Sequence, residues 1–218
     1  MVKEMDRAIF ETRNLSFRDK IYYPDMKIQK DKVNFIVGRS GTGKSTLLRL
    51  LNGTLTPSGG EIWYQGREIS EIDTIALRKE VSLISQSVYL FDTSIQENFR
   101  QFYEYRGMEV PSKERMMEYL KMCQISFPLD KDCTTMSGGE RQRVYIAIFL
   151  SFLPKVIMLD EPTSALDKDN SKKVIQNVID FCREKEIAVI VVSHDNQIIT
   201  AFAENIVSIG EKGEEKNE

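Results

Sequence analysis

Eight residues, GRSGTGKS from Gly38 to Ser45, place glycines, a lysine and a hydroxyl in the order G-x-x-x-x-G-K-S. Glycines at such spacing let a loop turn so that successive backbone amides face phosphate oxygens. A helix opening at Lys44 adds the positive end of its dipole. Lys44 is then placed to reach β- and γ-phosphates, and the Ser45 hydroxyl to ligate Mg2+. Arg39, Ser40, Gly41, Thr42, Gly43 and Thr46 complete the loop. The competing reading, a glycine-rich turn without a ligand, is weakened by context. The strand-like KVNFIVG runs directly into the loop, and Leu47, Leu48, Leu50 and Leu51 give the next segment an apolar helical face.

A triphosphate site needs a carboxylate for the metal and a group that activates water. VIMLDEP supplies both, because an apolar strand over 156–159 delivers Asp160 to its carboxyl edge, where ligands of α/β sheets bind. Asp160 can hold Mg2+ there, through a water or directly, and Glu161 is placed to take a proton from the attacking water. Two acids before a helix also favour its dipole, which is the local alternative. His194 directly follows the strand IAVIVVS, and an imidazole there can hydrogen-bond a γ-phosphate and hold Glu161 and water in position. Gln86 closes VSLISQ in the same way, with an amide able to sense metal and water. In MSGGE, Ser137 and Glu140 have the S-x-x-E spacing of a capping box, whereas Gly138 and Gly139 are poor helix formers that leave the backbone open to close approach.

These residues need a sheet to carry them. Apolar runs (KVNFIVG, VSLISQ, KVIMLD, IAVIVVS) alternate with amphipathic segments such as SKKVIQNVIDFCREK, the pattern of buried parallel strands in an α/β core. Residues 7–17 and 26–29 read as short, partly alternating strands, and EIWYQG as another ending at Gly66. The Met-, Tyr-, Phe-, Lys- and Glu-rich stretch 87–153 reads as a helical insertion. The expected division is 1–86 for an N-terminal β subdomain and the first half of the core, 87–153 for the helical part, 154–210 for the second half, and 211–218 for a polar tail.

With 218 residues, 41% hydrophobic and 29% charged, the chain is of ordinary globular composition. A net charge of −3 argues against a nucleic-acid footprint, which needs a basic surplus. Three cysteines without C-x-x-C spacing and a single histidine argue against a Cys/His metal site and for reduced thiols. The charged N-terminus is unlike a signal peptide. Pro154 and Lys155 interrupt the most apolar stretch before it reaches the roughly 18–20 residues of a membrane span.

Taken together and in this order, the motifs resemble the nucleotide-binding subunit of ATP-binding cassette (ABC) transporters. GRSGTGKST is similar to Walker A, Gln86 to the Q-loop, MSGGERQR to the signature motif, VIMLDEP to Walker B with its glutamate, SALD (164–167) to the D-loop and His194 to the switch histidine. The resemblance covers roughly residues 9–209. It implies a RecA-like P-loop core with an inserted α-helical subdomain and an N-terminal β subdomain. It also implies ATP and Mg2+ as cofactors, hydrolysis, and a head-to-tail homodimer in which Ser137, Gly138 and Gly139 of one copy meet the γ-phosphate on the other. Within the family, the nearest type is the small bacterial iron-export or metal-stress ATPase. A single cassette without a long arm between Gln86 and the signature implies a separate transmembrane permease subunit, docked near Tyr89, Phe91, Phe99, Phe102 and Tyr103, and a location on the cytoplasmic face of the membrane. The alternative is an ABC ATPase of a non-translocating mechanical or lipoprotein-release complex. Met136 and Glu140 replace the commonest Leu and Gln of the signature. Where the family commonly offers an aromatic ring to adenine, NLSFRD has Asp19, leaving Phe17, Tyr22 and Tyr23 as alternatives.

Overall fold

Two sheets share the work of holding the loops. The computed structural model describes residues 8–163 and 168–210. The SALD segment (164–167) and the polar tail (211–218) lie outside the described residues. The first sheet is antiparallel: β1 (Ala8–Phe17) pairs with β2 (Ile21–Tyr22), with β3 (Met26–Gln29) and with β5 (Gly59–Tyr64). The short β6 (Arg67–Glu68) continues from β5. β1 alternates enough to bury Ile9, Phe10, Leu15 and Thr12 while Arg13 and Asn14 stay outside.

The second sheet is fully parallel. β4 (Val33–Val37), β7 (Val81–Ile84), β8 (Val156–Asp160), β9 (Ala188–Val192) and β10 (Asn205–Ser208) stand in the order β10-β4-β9-β8-β7. Both faces of β8 and β9 are buried, which is why these strands are so continuously apolar. Helix α1 (Lys44–Leu51) packs its leucines into one core, shared with the first sheet. α2 (Thr74–Glu80) leads back into β7.

Between β7 and β8 the chain forms α3 (Ile95–Arg106), α4 (Lys113–Met122) and α5 (Gly138–Ser151). They bring their own apolar faces onto a second core with the opposite face of the sheet and with α6 (Lys168–Glu184). Ser94 and Ser112 cap α3 and α4 by accepting from the amides of Glu97 and Arg115. α7 (Asn196–Phe202) is capped by Asp195. The α/β fold expected from the sequence, with a β subdomain and helices inserted in a parallel core, is the fold present.

Two sequence expectations change in detail. Gln86 does not close β7; the strand ends at Ile84 and Gln86 lies two residues beyond it, in the turn toward the helices. Of the aromatics expected on a docking face, Phe99 and Tyr103 are core residues at 0% and 4% exposure. Their spacing on α3 turns them inward, and the Tyr103 hydroxyl donates to the Ser151 carbonyl at 2.8 Å. Tyr105, which the pattern did not single out, stands out at 78% exposure beside Tyr89 at 62%.

Candidate active site

The strand order decides which residues meet. β9 lies between β4 and β8, so the residue after β9 sits between the loop after β4 and the acids after β8. The register makes this concrete: Val192 pairs with Ile36 on one side and with Asp160 on the other, and Ile84 pairs with Leu159. Gly38, Gln86, Asp160, Glu161 and His194 therefore emerge at one carboxyl edge.

The glycine loop turns back on itself. Lys44 Nζ donates to the carbonyls of Gly38 and Arg39 at 2.8 and 2.9 Å, and Thr42 Oγ1 donates to the Arg39 carbonyl at 2.9 Å. At Gly43 the backbone is left-handed, φ 95°, a conformation that only glycine enters freely. No side chain caps α1 and no acid stands in its first turn, so its leading amides and dipole are open to an anion.

Asp160 is 5% exposed, and its Oδ1 finds no hydrogen-bond partner among the described residues. A buried carboxylate oxygen with no donor is costly unless something fills the role. A carboxylate, a hydroxyl such as that of Ser45 and an amide oxygen such as that of Gln86 are hard donors, the type that suits Mg2+. Among the described residues no cluster of three or more His, Cys, Asp or Glu side chains could hold a metal by protein ligands alone.

Glu161 is held from three directions. Its amide donates to Val192 O at 2.9 Å, its carbonyl accepts from Gln142 Nε2 at 3.4 Å, and its Oε1 meets His194 Nδ1 at 2.8 Å. Its backbone is left-handed, φ 50°, which costs a non-glycine residue about 1–2 kcal/mol. The bonds to β9 and from Gln142 hold it there, with the carboxylate turned to His194. Gln142, 2% exposed among the apolar positions of α5, lies inside the MSGGERQR stretch but is given no role of its own by the sequence. A polar amide on the buried face of that helix is the one sequence signal it gives.

Ser137 caps α5 in a complete capping box. Its hydroxyl accepts from the Glu140 amide at 3.3 Å, and Glu140 Oε2 accepts from the Ser137 amide at 2.8 Å. The bond from the Ser137 amide first, and then the Ser137 hydroxyl donating to Glu140 Oε2 at 2.9 Å, hold the Glu140 carboxyl below its ordinary value. Gly138 and Gly139 both have ordinary helical φ, so conformation does not require glycine at either. What the missing side chain of Gly138 leaves is open backbone at the first turn of α5, with Ser137 and Gly138 exposed and Gly139 buried. Ser137 stands at the helix start as expected. The described residues of the chain, however, do not bring it onto the Gly38–Thr46 loop by any hydrogen bond.

Among the adenine-stacking alternatives, Tyr23 is 6% exposed and its ring lies in the core, so it offers no face. Phe17 is partly covered by the Arg18 guanidinium 5.2 Å above its ring, and Tyr22 is 69% exposed.

The family model described as ABC transporter matches residues 23–164. The chain belongs to the ABC transporter family, and is an ATP-hydrolysing ATP-binding subunit of that family. It is 36% identical over 197 residues to the phosphonates import ATP-binding protein PhnC of Wolinella succinogenes, covering 84% of this chain and 72% of that one. It is 31% identical over 188 residues to the probable iron export ATP-binding protein FetA of Escherichia coli K12, covering 85% of this chain and 82% of that one. The ATP-binding cassette MJ0796, in a dimeric post-hydrolysis state bound to ADP and Pi, superposes with a TM-score of 0.80 at 27% identity, covering 92% of this chain and 94% of that one.

Proposed function

We propose that the chain binds MgATP and hydrolyses it between two copies of itself to drive a separate membrane subunit. The observation that carries the chemistry is the Glu161–His194 contact of 2.8 Å at the edge where the glycine loop and Asp160 also end. The amides of Gly38, Arg39, Ser40, Gly41, Thr42, Gly43, Lys44, Ser45 and Thr46 cradle the phosphates, and Lys44 leaves its loop carbonyls for the β- and γ-oxygens. Ser45, Asp160 and Gln86 would hold Mg2+, which would supply charge neutralisation on the phosphates. Glu161 takes a proton from water as the water oxygen bonds to the γ-phosphorus and the bridging P–O bond breaks, leaving ADP and phosphate. His194 orients that carboxylate and the γ-phosphate.

Ser137, Gly138 and Gly139 act on the nucleotide of the second copy, and the open backbone at the helix start supports that role. The MJ0796 cassette, dimeric with ADP and Pi bound, supports a homodimer of the chain. Tyr89 and Tyr105, backed by Phe91 and Phe102, form the surface on which the permease docks. Phe91 lies 5.1 Å from Tyr89, 6.1 Å from Tyr105 and 5.5 Å from Phe102. Two aromatic rings this exposed on one patch mark an interaction surface. No helix among the described residues is long and apolar enough to cross a membrane.

Export of a metal ion is part of the proposal, supported by the likeness to FetA. The likeness to PhnC, an import protein, supports the opposite direction as the second reading. Affinity purification of the full chain from its native membrane, followed by sequencing of the co-purifying multispan protein, tests both. A partner with a periplasmic domain and few spans instead of a multispan permease would overturn the transport reading.

A further inference from the structure

The buried tyrosine that cannot stack on a base does something else. Tyr23 Oη donates to the carbonyl of Gly43 at 3.0 Å, across from the antiparallel sheet to the phosphate loop. The phenol is fixed at both ends: its backbone amide donates to Leu15 O on β1 at 2.9 Å, and its ring is packed in the core that also holds the leucines of α1. Gly43 is where the loop converts to helix. Its carbonyl also accepts the first α1 bond, from Leu47 N at 2.8 Å. Beside it, a side chain is sterically barred, since a Cβ at Gly43 would stand 2.8 Å from Tyr23 Oη and 2.9 Å from Ile21 Cγ2.

We infer that Tyr23 is a positioning residue for the phosphate-binding loop, orienting the peptide plane between Gly43 and Lys44 so that its amide faces the nucleotide phosphates. The peptide that carries the Gly43 carbonyl also carries the Lys44 amide, so fixing one end of that plane fixes the other. A left-handed glycine has a broad basin and no side chain of its own to hold it, and the phenol supplies the missing constraint. Burial pushes the phenol up to about 12, which keeps it a donor throughout the working range. The inference rests on the loop being the nucleotide site.

The test is calorimetric titration of the full chain with MgADP, with steady-state hydrolysis of MgATP alongside. Tyr23→Phe removes one hydroxyl and is expected to weaken MgADP binding by about 2- to 10-fold, the worth of one hydrogen bond. KM for MgATP should rise in parallel, with kcat held within about twofold, because Tyr23 touches no reacting atom. Tyr64→Phe is the control: it also removes a buried hydroxyl, one that bonds Glu80 at 3.0 Å, and should leave MgADP affinity alone. Tyr23→Leu, which keeps an apolar side chain, gives a second reading of the same loss. Wild-type MgADP affinity in Tyr23→Phe, or an equal loss in Tyr64→Phe, overturns the inference. Lys44→Ala separates it from the site assignment: MgADP binding that survives Lys44→Ala sinks the loop assignment itself, whereas binding lost there but unchanged in Tyr23→Phe sinks only the role of Tyr23.

Discussion

His194 Nδ1 and Glu161 Oε1 stand 2.8 Å apart, and the acid reaches that distance only because its backbone is left-handed. An extended residue after β8 would stand its side chain off one face of the sheet. The turn instead aims it sideways, across the edge of β9, at the imidazole that follows Val192. Strain of about 1–2 kcal/mol is thus stored at the residue proposed as the proton acceptor. The amide bond to Val192 O and the Gln142 contact hold the strain in place.

Glu161→Gln keeps the shape and the turn but removes the proton acceptor. Hydrolysis is expected to fall by about 10²- to 10⁴-fold, the usual contribution of a general base. MgATP binding should persist, and the variant should elute as a dimer in MgATP and as a smaller species without it. A variant hydrolysing at the normal rate in a phosphate-release assay would mean that another group accepts the proton.

Gly138→Val tests whether the open start of α5 serves a second copy. Gly138 is exposed, has ordinary helical φ and opens the helix, so a β-branched residue there costs only a few tenths of a kcal/mol. The apo melting temperature and the affinity for MgADP should stay close to wild type. Steady-state hydrolysis should drop by about 10²-fold, as when a preorganised donor to a transferring group is lost, and the MgATP dimer of the Glu161→Gln background should disappear. Retention of that dimer in the double variant would remove Ser137, Gly138 and Gly139 from the interface.

Much of this site is legible in the chain because its parts are local. Gly38–Ser45 carries its own spacing, and VIMLD and IAVIVVS announce buried strands whose next residues must lie at a carboxyl edge. The S-x-x-E spacing predicts a capping box, and both of its bonds are present. What cannot be read is contact between distant segments. That β9 intervenes between β4 and β8, and so sets His194 beside Glu161, is a matter of strand order, which no local pattern encodes. Tyr23 reads as a candidate for stacking because an aromatic near the loop is all that sequence shows; only packing reveals that its ring is inside and its hydroxyl on Gly43. Phe99 and Tyr103 mislead for the same reason, since the aromatic run on α3 has one face turned to the core and one to solvent.

Acid should dissolve the capping box, and the sign can be worked out. Hydrogen bonds from the Ser137 amide and hydroxyl favour the charged form of Glu140 and lower its value in the folded chain. The unfolded chain titrates near the ordinary glutamate value of about 4.3. A lowered folded value means that the unfolded state binds the proton more readily, so the stabilisation is complete above the unfolded value and is lost as pH falls through the folded one. Glu140→Gln has no such titration and retains an acceptor for the same amide. The wild type should therefore melt higher than Glu140→Gln near neutral pH, by the few tenths to about 1 kcal/mol that a carboxylate contributes at a helix start. The gap should close as the buffer is taken below about pH 4, and high salt should narrow it at neutral pH, because the site is close to solvent and its charge is screened. Paired thermal melts of the two proteins across that range measure the effect directly; a gap that stays constant with pH would place the stabilisation in packing rather than in the Glu140 charge.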